Sequence, residues 1–468
     1  MMIKFGTDGW RGLIARDFTF ENVQKVALAT ARLIIKSNPN SKNYSAVIGY
    51  DTRFLSKQFA IETACVLAWQ GITVYLTDDI ASTPQVSYHT KQKNVDLGIV
   101  ITASHNPPLY NGYKIKANFG GPAKPEDIAK LELELKKIWN KPPLMKFRTL
   151  EEYTKLKLIR LFSSADSYLR LLKRKIDLEA INKSKFKVLF DPMYGAGINT
   201  MKHLLPNADE IHSTYNPSFG EIDHPEPIGE CLGILMSKVV EGKYDIGIAT
   251  DGDADRLGLV DHEGSFVDSH RIFMIMLKYL YEHKKKRGAV AKTVSLTTMV
   301  NMYCEKNNIK LHETPVGFKH IAKLMNEEKI LIGGEESGGL SSILHIPERD
   351  GLFNALLVLE IMAKRKMSLK ALCDELDQEF GIHRFSRRDV YVTEEVKTAI
   401  LNAANKKPKK LGRFEVLNIH DTDGYKFFVD GGWLLIRASG TEPLIRFYAE
   451  ANTVTKVNQL LDAGLKLK

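Results

Sequence analysis

The sequence predicts an α/β fold: three similar doubly wound mixed-sheet domains followed by a smaller α+β C-terminal domain. Three observations lead there. Strand and helix alternate through three copies of one arrangement between Tyr44 and Gly339. Each copy ends its third strand on a polar loop. After Gly381 the pattern turns to short alternating strands. At 468 residues the chain is also too long for one hydrophobic core. The expected domains are residues 1–155, 156–262, 263–381 and 382–468.

The opening, Ile3-Lys4-Phe5-Gly6-Thr7-Asp8-Gly9-Trp10-Arg11-Gly12, is punctuated by glycines that let the backbone turn tightly or approach an anion. Arg11 in that loop is within reach of a phosphate. A helix begins near Phe20. The first copy then reads strand 44–50, helix 56–70, strand 72–77, helix 83–93 and strand 97–102. The second reads strand 186–190, helix 195–206, short strand 209–213, helix 228–241 and strand 245–249. The third reads strand 289–296, helix 298–307, strand 309–313, helix 317–327 and strand 330–332. The copies share arrangement and little identity, so the repeat is structural. A charged helix from Pro125 to Trp139 and Lys141-Pro142-Pro143 close the first unit, and a helix near 161–176 opens the second. A turn at Asp261-His262-Glu263-Gly264 leads to the helix that opens the third. The last domain has strands near 389–392, 424–429, 433–437 and 444–449, with helices at 394–404 and 454–467.

Apolar residues make up 44% of the chain and charged residues 26%, the balance of a folded soluble protein. The best apolar run, Ala355 to Ile361, is interrupted by Glu360 and is far short of the ~18 residues of a membrane span. The N-terminus shows no apolar run of a secretory leader. Cys65, Cys231, Cys304 and Cys373 form no C-x-x-C pair, so neither disulfides nor structural zinc are expected. A cytoplasmic protein is the expectation. The net charge of +10 raises nucleic acid as a partner. But Lys284-Lys285-Lys286-Arg287 and Lys407 to Lys410 read as solvated helix ends and loops, mostly away from aromatic residues. Neither nucleic acid nor membrane is therefore expected, whereas a basic surface suits anionic small molecules.

Four loops hold the chemistry. Thr102-Ala103-Ser104-His105-Asn106-Pro107 follows the apolar strand Leu97 to Ile101. Asn106-Pro107-Pro108 ends that strand, because the residue before a proline is pushed out of the helical region. Ser104 is thereby presented at the C-terminal end of a strand, where open α/β sheets bind ligands. His105 and Lys114 are its polar neighbours. In Asp251-Gly252-Asp253-Ala254-Asp255-Arg256 the three aspartates alternate, so their carboxylates can converge and offer hard oxygen donors suited to Mg2+. An EF-hand is excluded: Arg256 stands where that loop needs glycine, and His262 where it needs glutamate. Arg256 beside the metal can orient a phosphate. Glu335 and Ser337, in Gly333-Gly334-Glu335-Glu336-Ser337-Gly338-Gly339, suit sugar hydroxyls. Lys319 begins a helix whose dipole does not favour a cation there, which points to an anionic neighbour. Arg437-Ala438-Ser439-Gly440-Thr441-Glu442-Pro443, followed by Arg446, combines two arginines, two hydroxyls and the amides around Gly440 in a phosphate clamp.

Taken together and in this order, the loops resemble those of the α-D-phosphohexomutase superfamily, the phosphoglucomutase/phosphomannomutase enzymes. T-A-S-H-N-P is similar to its phosphoserine loop, D-G-D-A-D-R to its metal loop, G-E-E-S-G-G to its sugar loop and R-A-S-G-T-E-P to its phosphate loop. The resemblance covers nearly the whole chain. It implies an isomerase, an intramolecular phosphotransferase that interconverts hexose 1-phosphate and hexose 6-phosphate through a phosphorylated Ser104 and a 1,6-bisphosphate. Asp251, Asp253, Asp255 and the phosphate on Ser104 would hold Mg2+. Arg256, Lys319, Glu335 and Ser337 would bind the substrate, and Arg437, Ser439, Gly440, Thr441 and Arg446 would grip the phosphate not being transferred. Arg11, His105 and Lys114 are unranked candidates for proton transfer. Glucose 1,6-bisphosphate is the implied activator. A monomer or homodimer is the expectation, and the C-terminal domain is the expected lid, because its clamp must release and regrip during reorientation. The G-E-E-S-G-G and P-V-G-F-K segments resemble glucose-type mutases more than the mannose type with G-E-M-S-G-H. Phosphoglucosamine mutases show a similar histidine where Gly339 stands. Glucose is expected first and mannose second. The alternatives are a phosphoglucosamine mutase, a sugar-phosphate-binding protein without mutase activity, or a metal-dependent phosphatase using the same aspartates.

Overall fold

A computed structural model describes residues 3–6, 8–141, 144–438 and 444–467. Three sheets repeat one wiring. Each is built on a central strand, Ser45–Tyr50, Val188–Asp191 or Ala289–Thr293. Parallel neighbours flank it: Thr73–Thr77 and Leu97–Ile101 in the first sheet, Asp209–Glu210 and Ile246–Thr250 in the second, Leu311–Thr314 and Ile330–Gly334 in the third. An antiparallel strand then returns along the last of these: Tyr110–Ala117, Leu257–Asp261 or Leu340–Ser342. The connection into that returning strand is in every case one of the polar loops. Leu97–Ile101, Ile246–Thr250 and Ile330–Gly334 are buried at every position, as befits strands covered on both faces.

The sequence pattern concealed the returning strand of the first sheet because Asn111, Lys114 and Lys116 are polar yet fully buried. That sheet also continues past residue 155. Ile159–Phe162 pairs in parallel with Thr73–Thr77, and the helix expected from 161 begins only at Ala165. In the second domain the expected helices are shorter, Thr200–Leu204 and Gly233–Gly242, the latter preceded by a 3-10 turn at Gly229–Cys231. Side-chain caps fix several helix starts. The Ser82 hydroxyl accepts from Gln85 N–H while Gln85 reaches back, and Pro84 occupies the first turn.

One core spans the second and third domains. Gly351–Arg365 is buried around its whole circumference from Leu352 to Met362, with Asn354 and Glu360 its only polar residues there, and packs with Ser269–Lys278 inside that core. The Tyr168 hydroxyl reaches both oxygens of Asp350, the cap of that helix. The fourth domain is a single antiparallel sheet in the order Arg384–Tyr391, Leu444–Ala451, Gly432–Ala438, Tyr425–Val429, Phe414–His420, Lys410–Leu411. It docks on the third through buried charges. Glu450 Oε1 accepts from Trp433 Nε1 at 3.0 Å and from Thr298 N–H at 3.1 Å, and Lys426 Nζ donates to the Val294 carbonyl at 2.7 Å. Burial pushes the Lys426 amine down to about 7. Among the described residues no helix is long and apolar enough to cross a membrane.

Candidate active site

Ser104 is 1% exposed and sits in the left-handed region at φ 53°, a conformation a serine adopts only when its surroundings enforce it. Thr102 Oγ1 accepts the Ser104 N–H at 2.9 Å. From below, the buried Arg53 guanidinium donates to the carbonyls of Ser104, Asn106, Pro107 and Tyr110 at 2.6, 2.5, 2.9 and 3.0 Å. Desolvation lowers the Arg53 pKa to about 10 even with Asp51 Oδ2 at 3.3 Å. So placed, Ser104 Oγ donates to Asp251 Oδ2 at 2.9 Å and lies 3.4 Å from His105 Nδ1. The serine and metal loops interlock: a Cβ at Gly252 would come within 2.4 Å of the Ser104 carbonyl oxygen, so glycine is required there.

Carboxylate oxygens of Asp251, Asp253 and Asp255 lie within 4.8 Å of one another, all buried. Asp251 Oδ1 is anchored by the N–H groups of Asp255 and Arg256 at 2.9 and 3.0 Å, and the Thr83 hydroxyl donates to Asp253 Oδ2. Lys114 Nζ, from the first domain, stands 2.7 Å from Asp253 Oδ2, 3.3 Å from Asp255 Oδ2 and 3.0 Å from Asp8 Oδ2. Burial opposes the charge on Lys114, but these carboxylates outweigh it and raise its pKa. The same amine overcomes burial at Asp253 and holds that carboxyl well below the usual range. Asp251 goes the other way, pushed well up by desolvation and by the charges of Asp255 and Asp253. Asp253 Oδ1 and Asp255 Oδ1 are buried with no hydrogen-bond partner among the described residues. Open, hard, anionic oxygens with incomplete compensation fit a small divalent cation.

A second cation joins three domains. Arg349 Nη2 lies 2.6 Å from Asp8 Oδ2 and 2.7 Å from Asp255 Oδ2, while Nη1 is 3.7 Å from Glu335 Oε2. Glu335 Oε1 accepts the Gly317 N–H at 3.0 Å, and burial raises the Glu335 carboxyl to about 7 in spite of Arg349. Glu336 is held through the Thr293 and Ser295 hydroxyls. Ser337 is half-buried at the loop's tip. Lys319, also half-buried, lines a cavity of about 190 Å³ with Lys4, Asp8, Gly9 and Glu132. Arg256 pairs with the buried Glu226 at 3.0 Å, and its Nε is 3.9 Å from Asp251 Oδ2. Arg11 donates to the Asn106 side chain. Desolvation, reinforced by Arg256, Arg11, Lys114 and Arg387, holds the His105 pKa well below its ordinary value, so the imidazole is neutral.

In the fourth sheet Arg437 and Arg446 face each other across adjacent strands. Arg437 Nε donates to Asp423 Oδ2 at 2.6 Å, and that carboxylate also accepts the Val316 N–H of the third domain at 2.9 Å. Arg446 and Arg387 share Asp389, at 3.3 and 3.1 Å. Ser439, Gly440 and Thr441 lie outside the described residues.

Ser104, His105, Arg11, Lys114, the three aspartates, Arg256 and Glu335 thus belong to one connected polar network. Sequence reasoning overlooked Asp8, Arg53, Glu226, Arg349 and Arg387. Asp8 stands inside the glycine-punctuated opening and Arg53 just beyond the first central strand, positions that could have drawn attention. Arg349 and Glu226 had no comparable signal.

Comparison with known proteins extends this pattern to the whole chain. Residues 2–141, 166–264 and 268–380 match phosphoglucomutase/phosphomannomutase alpha/beta/alpha domains I, II and III, and residues 390–466 match the C-terminal domain. A phosphoglucomutase/phosphomannomutase of Thermococcus kodakarensis is 31% identical over 99% of this chain and 98% of its own. A phosphoglucosamine/phosphogalactosamine mutase of Sulfurisphaera tokodaii is 30% identical over the same shares. The open form of the Paramecium phosphoglucomutase pp63/parafusin has the same fold, with a TM-score of 0.84 at 21% identity over 100% of this chain and 95% of that one. With four domain matches in order and a relative alike from end to end, the chain belongs to the phosphoglucomutase/phosphomannomutase family of phosphohexomutases, isomerases that transfer a phosphoryl group within their substrate.

Proposed function

We propose that this protein interconverts hexose 1-phosphate and hexose 6-phosphate, with glucose the preferred sugar and mannose second, through phosphorylated Ser104 and a 1,6-bisphosphate. The observation that carries the reading is Ser104 Oγ at 2.9 Å from Asp251, on the edge of a carboxylate triad with open oxygens. Mg2+ held by Asp251, Asp253, Asp255 and a phosphate oxygen on Ser104 would neutralise charge during transfer. The sugar hydroxyl attacks phosphorus, the bond from phosphorus to Ser104 Oγ breaks, and the hydroxyl proton ends on the released Ser104 Oγ. Phosphate at the other end of the bisphosphate then returns to Ser104.

The trio of proton-transfer candidates divides by charge. Lys114, held charged against burial by Asp253, Asp255 and Asp8, and Arg11, a guanidinium whose pKa burial lowers, act on the developing negative charge. Neutral His105, 3.4 Å from Ser104 Oγ, is the group able to take the serine proton on rephosphorylation and give it back. Glu335 and Ser337 bind sugar hydroxyls, Lys319 and Arg256 orient the substrate, and Arg437, Ser439, Gly440, Thr441 and Arg446 grip the phosphate that stays put.

Packing at Gly339 supports the glucose-type reading. A Cβ there would come within 2.4 Å of Arg349 Cδ, so the space a histidine would need is already filled by an arginine stem. The relative that acts on amino-sugar phosphates keeps phosphoglucosamine mutase as the second reading.

The test is a coupled assay with Mg2+ and catalytic glucose 1,6-bisphosphate, on wild type and Ser104→Ala, offering glucose, mannose and glucosamine 1-phosphates. Bisphosphate-dependent formation of glucose 6-phosphate, abolished in the variant, supports the proposal. Turnover indifferent to Ser104 overturns the phosphoserine mechanism, and a higher kcat/KM for glucosamine phosphate overturns the sugar assignment.

A further inference from the structure

Arg53 is the largest of the fully buried cations, and the chemistry above leaves it without a task. Its two terminal nitrogens spend four N–H groups on the carbonyls of residues 104, 106, 107 and 110. Its Nε faces Asp51 Oδ2, and the Arg53 N–H is itself fixed by Asp51 Oδ1 at 3.0 Å. The Phe219 ring, from the second domain, covers the guanidinium 4.9 Å from its centroid. All four of these hydrogen bonds end on backbone carbonyls of the serine loop, so the group acts on the loop's path rather than on its side chains. Phosphorylation adds nearly two negative charges beside three aspartates, and φ 53° at Ser104 is a conformation that costs a serine free energy.

The two other repeats show that this arrangement belongs to the fold. In the second domain the segment after the central strand abuts the metal loop: the Ala196 N–H donates to the Gly252 carbonyl at 2.9 Å, and a Cβ at Gly195 would strike Gly252. There too an aspartate at the strand's end, Asp191, accepts the N–H two residues on, at 2.7 Å. In the third, the Ser295 hydroxyl donates to Glu336 of the sugar loop. Each unit therefore supports its site loop from the end of its own central strand, and Arg53 is the support of the serine loop.

We infer that Arg53 is a positioning residue for phosphoryl transfer: it ties the backbone of residues 104–110 so that Ser104 keeps its strained geometry and its place at Asp251 while phosphorylated. The inference rests on the phosphoserine reading above. Lysine retains the charge but cannot span four carbonyls, so the fork of the guanidinium is what the test isolates.

The experiment compares wild type, Arg53→Lys, Phe219→Leu and Ser104→Ala, each checked for folding by thermal melting. Steady-state kinetics with the hexose phosphate and its bisphosphate are combined with the lifetime of phospho-Ser104 followed by intact-protein mass spectrometry. For Arg53→Lys the expected result is a kcat lower by about 10- to 100-fold, with KM within about threefold. The phosphoserine lifetime shortens, and added bisphosphate does not restore the rate. Folded Arg53→Lys with kcat and phosphoserine lifetime close to wild type overturns the inference. If Arg53→Lys does not fold, Phe219→Leu decides. It loosens the support from outside, so a lowered kcat at unchanged KM upholds the inference and unchanged kcat overturns it. Ser104→Ala separates the two levels: full turnover by that variant defeats the phosphoserine reading, whereas its inactivity beside a fully active Arg53→Lys defeats only the role of Arg53.

Discussion

Lys114 Nζ stands 2.7 Å from Asp253 Oδ2, so an amine supplied by the first domain partly neutralises the metal loop of the second. The contact joins two domains through a buried ion pair, and such a pair is costly to halve. Lys114→Met leaves the triad and Asp8 without this charge and should destabilise the metal-free protein by about 3–5 kcal/mol. Saturating Mg2+ should restore more stability to the variant than it adds to wild type. Melting curves with and without Mg2+ check this, and equal metal-free melting of variant and wild type would refute it.

Thr83 orients Asp253 from behind through its hydroxyl. Thr83→Val keeps the shape and removes that bond, so Mg2+ should bind about 10- to 100-fold more weakly. Activity should recover when Mg2+ is raised. A Mg2+ titration of the rate identical to that of wild type would count against the assignment of Asp253 as a ligand.

Glu335 predicts a pH dependence. Its folded pKa of about 7 lies above the ordinary 4.5, so the folded state favours the proton. The stability this group adds is fully present below pH 4.5 and is lost as pH rises toward 7. Across that window wild type should lose on the order of 3 kcal/mol relative to Glu335→Gln. Denaturant unfolding of both proteins at several pH values measures the difference, and parallel curves would show that Glu335 does not titrate there.

Arg437 ties its guanidinium to Asp423, which also receives the Val316 N–H from the neighbouring domain. Arg437→Gln removes a charge-assisted contact worth about 1.5–3 kcal/mol to a bound phosphate. KM for the hexose phosphate should rise roughly 10- to 100-fold, with kcat changed far less. A variant with normal KM would take Arg437 out of the phosphate clamp.

Much of this arrangement was legible from residues alone. Central and third strands announced themselves as apolar runs, and each site loop followed one directly. The strand Tyr110–Ala117 did not, because Lys114 and Lys116 lie buried in it, paired to Asp253 and Glu348. Such pairing reverses the usual meaning of a polar residue, and only the folded chain reveals the partner. Arg349 was hidden for the same reason: it serves groups far away in sequence, up to 341 residues apart in the case of Asp8. The neutrality of His105 was equally invisible, since it arises first from burial and then from cations contributed by other segments of the chain.

Because every unit holds its loop with the end of its own central strand, support and loop are inherited as one piece. Duplicating such a unit yields a copy whose loop already has its bracket, and divergence then needs to alter only the side chains on display. The same rule governs grafting. Transplanting residues 335–339 from a relative with another sugar preference should succeed when residues 293–295 travel with them. Without that segment, the incoming residue 336 would meet the Thr293 and Ser295 hydroxyls, which are fitted to Glu336.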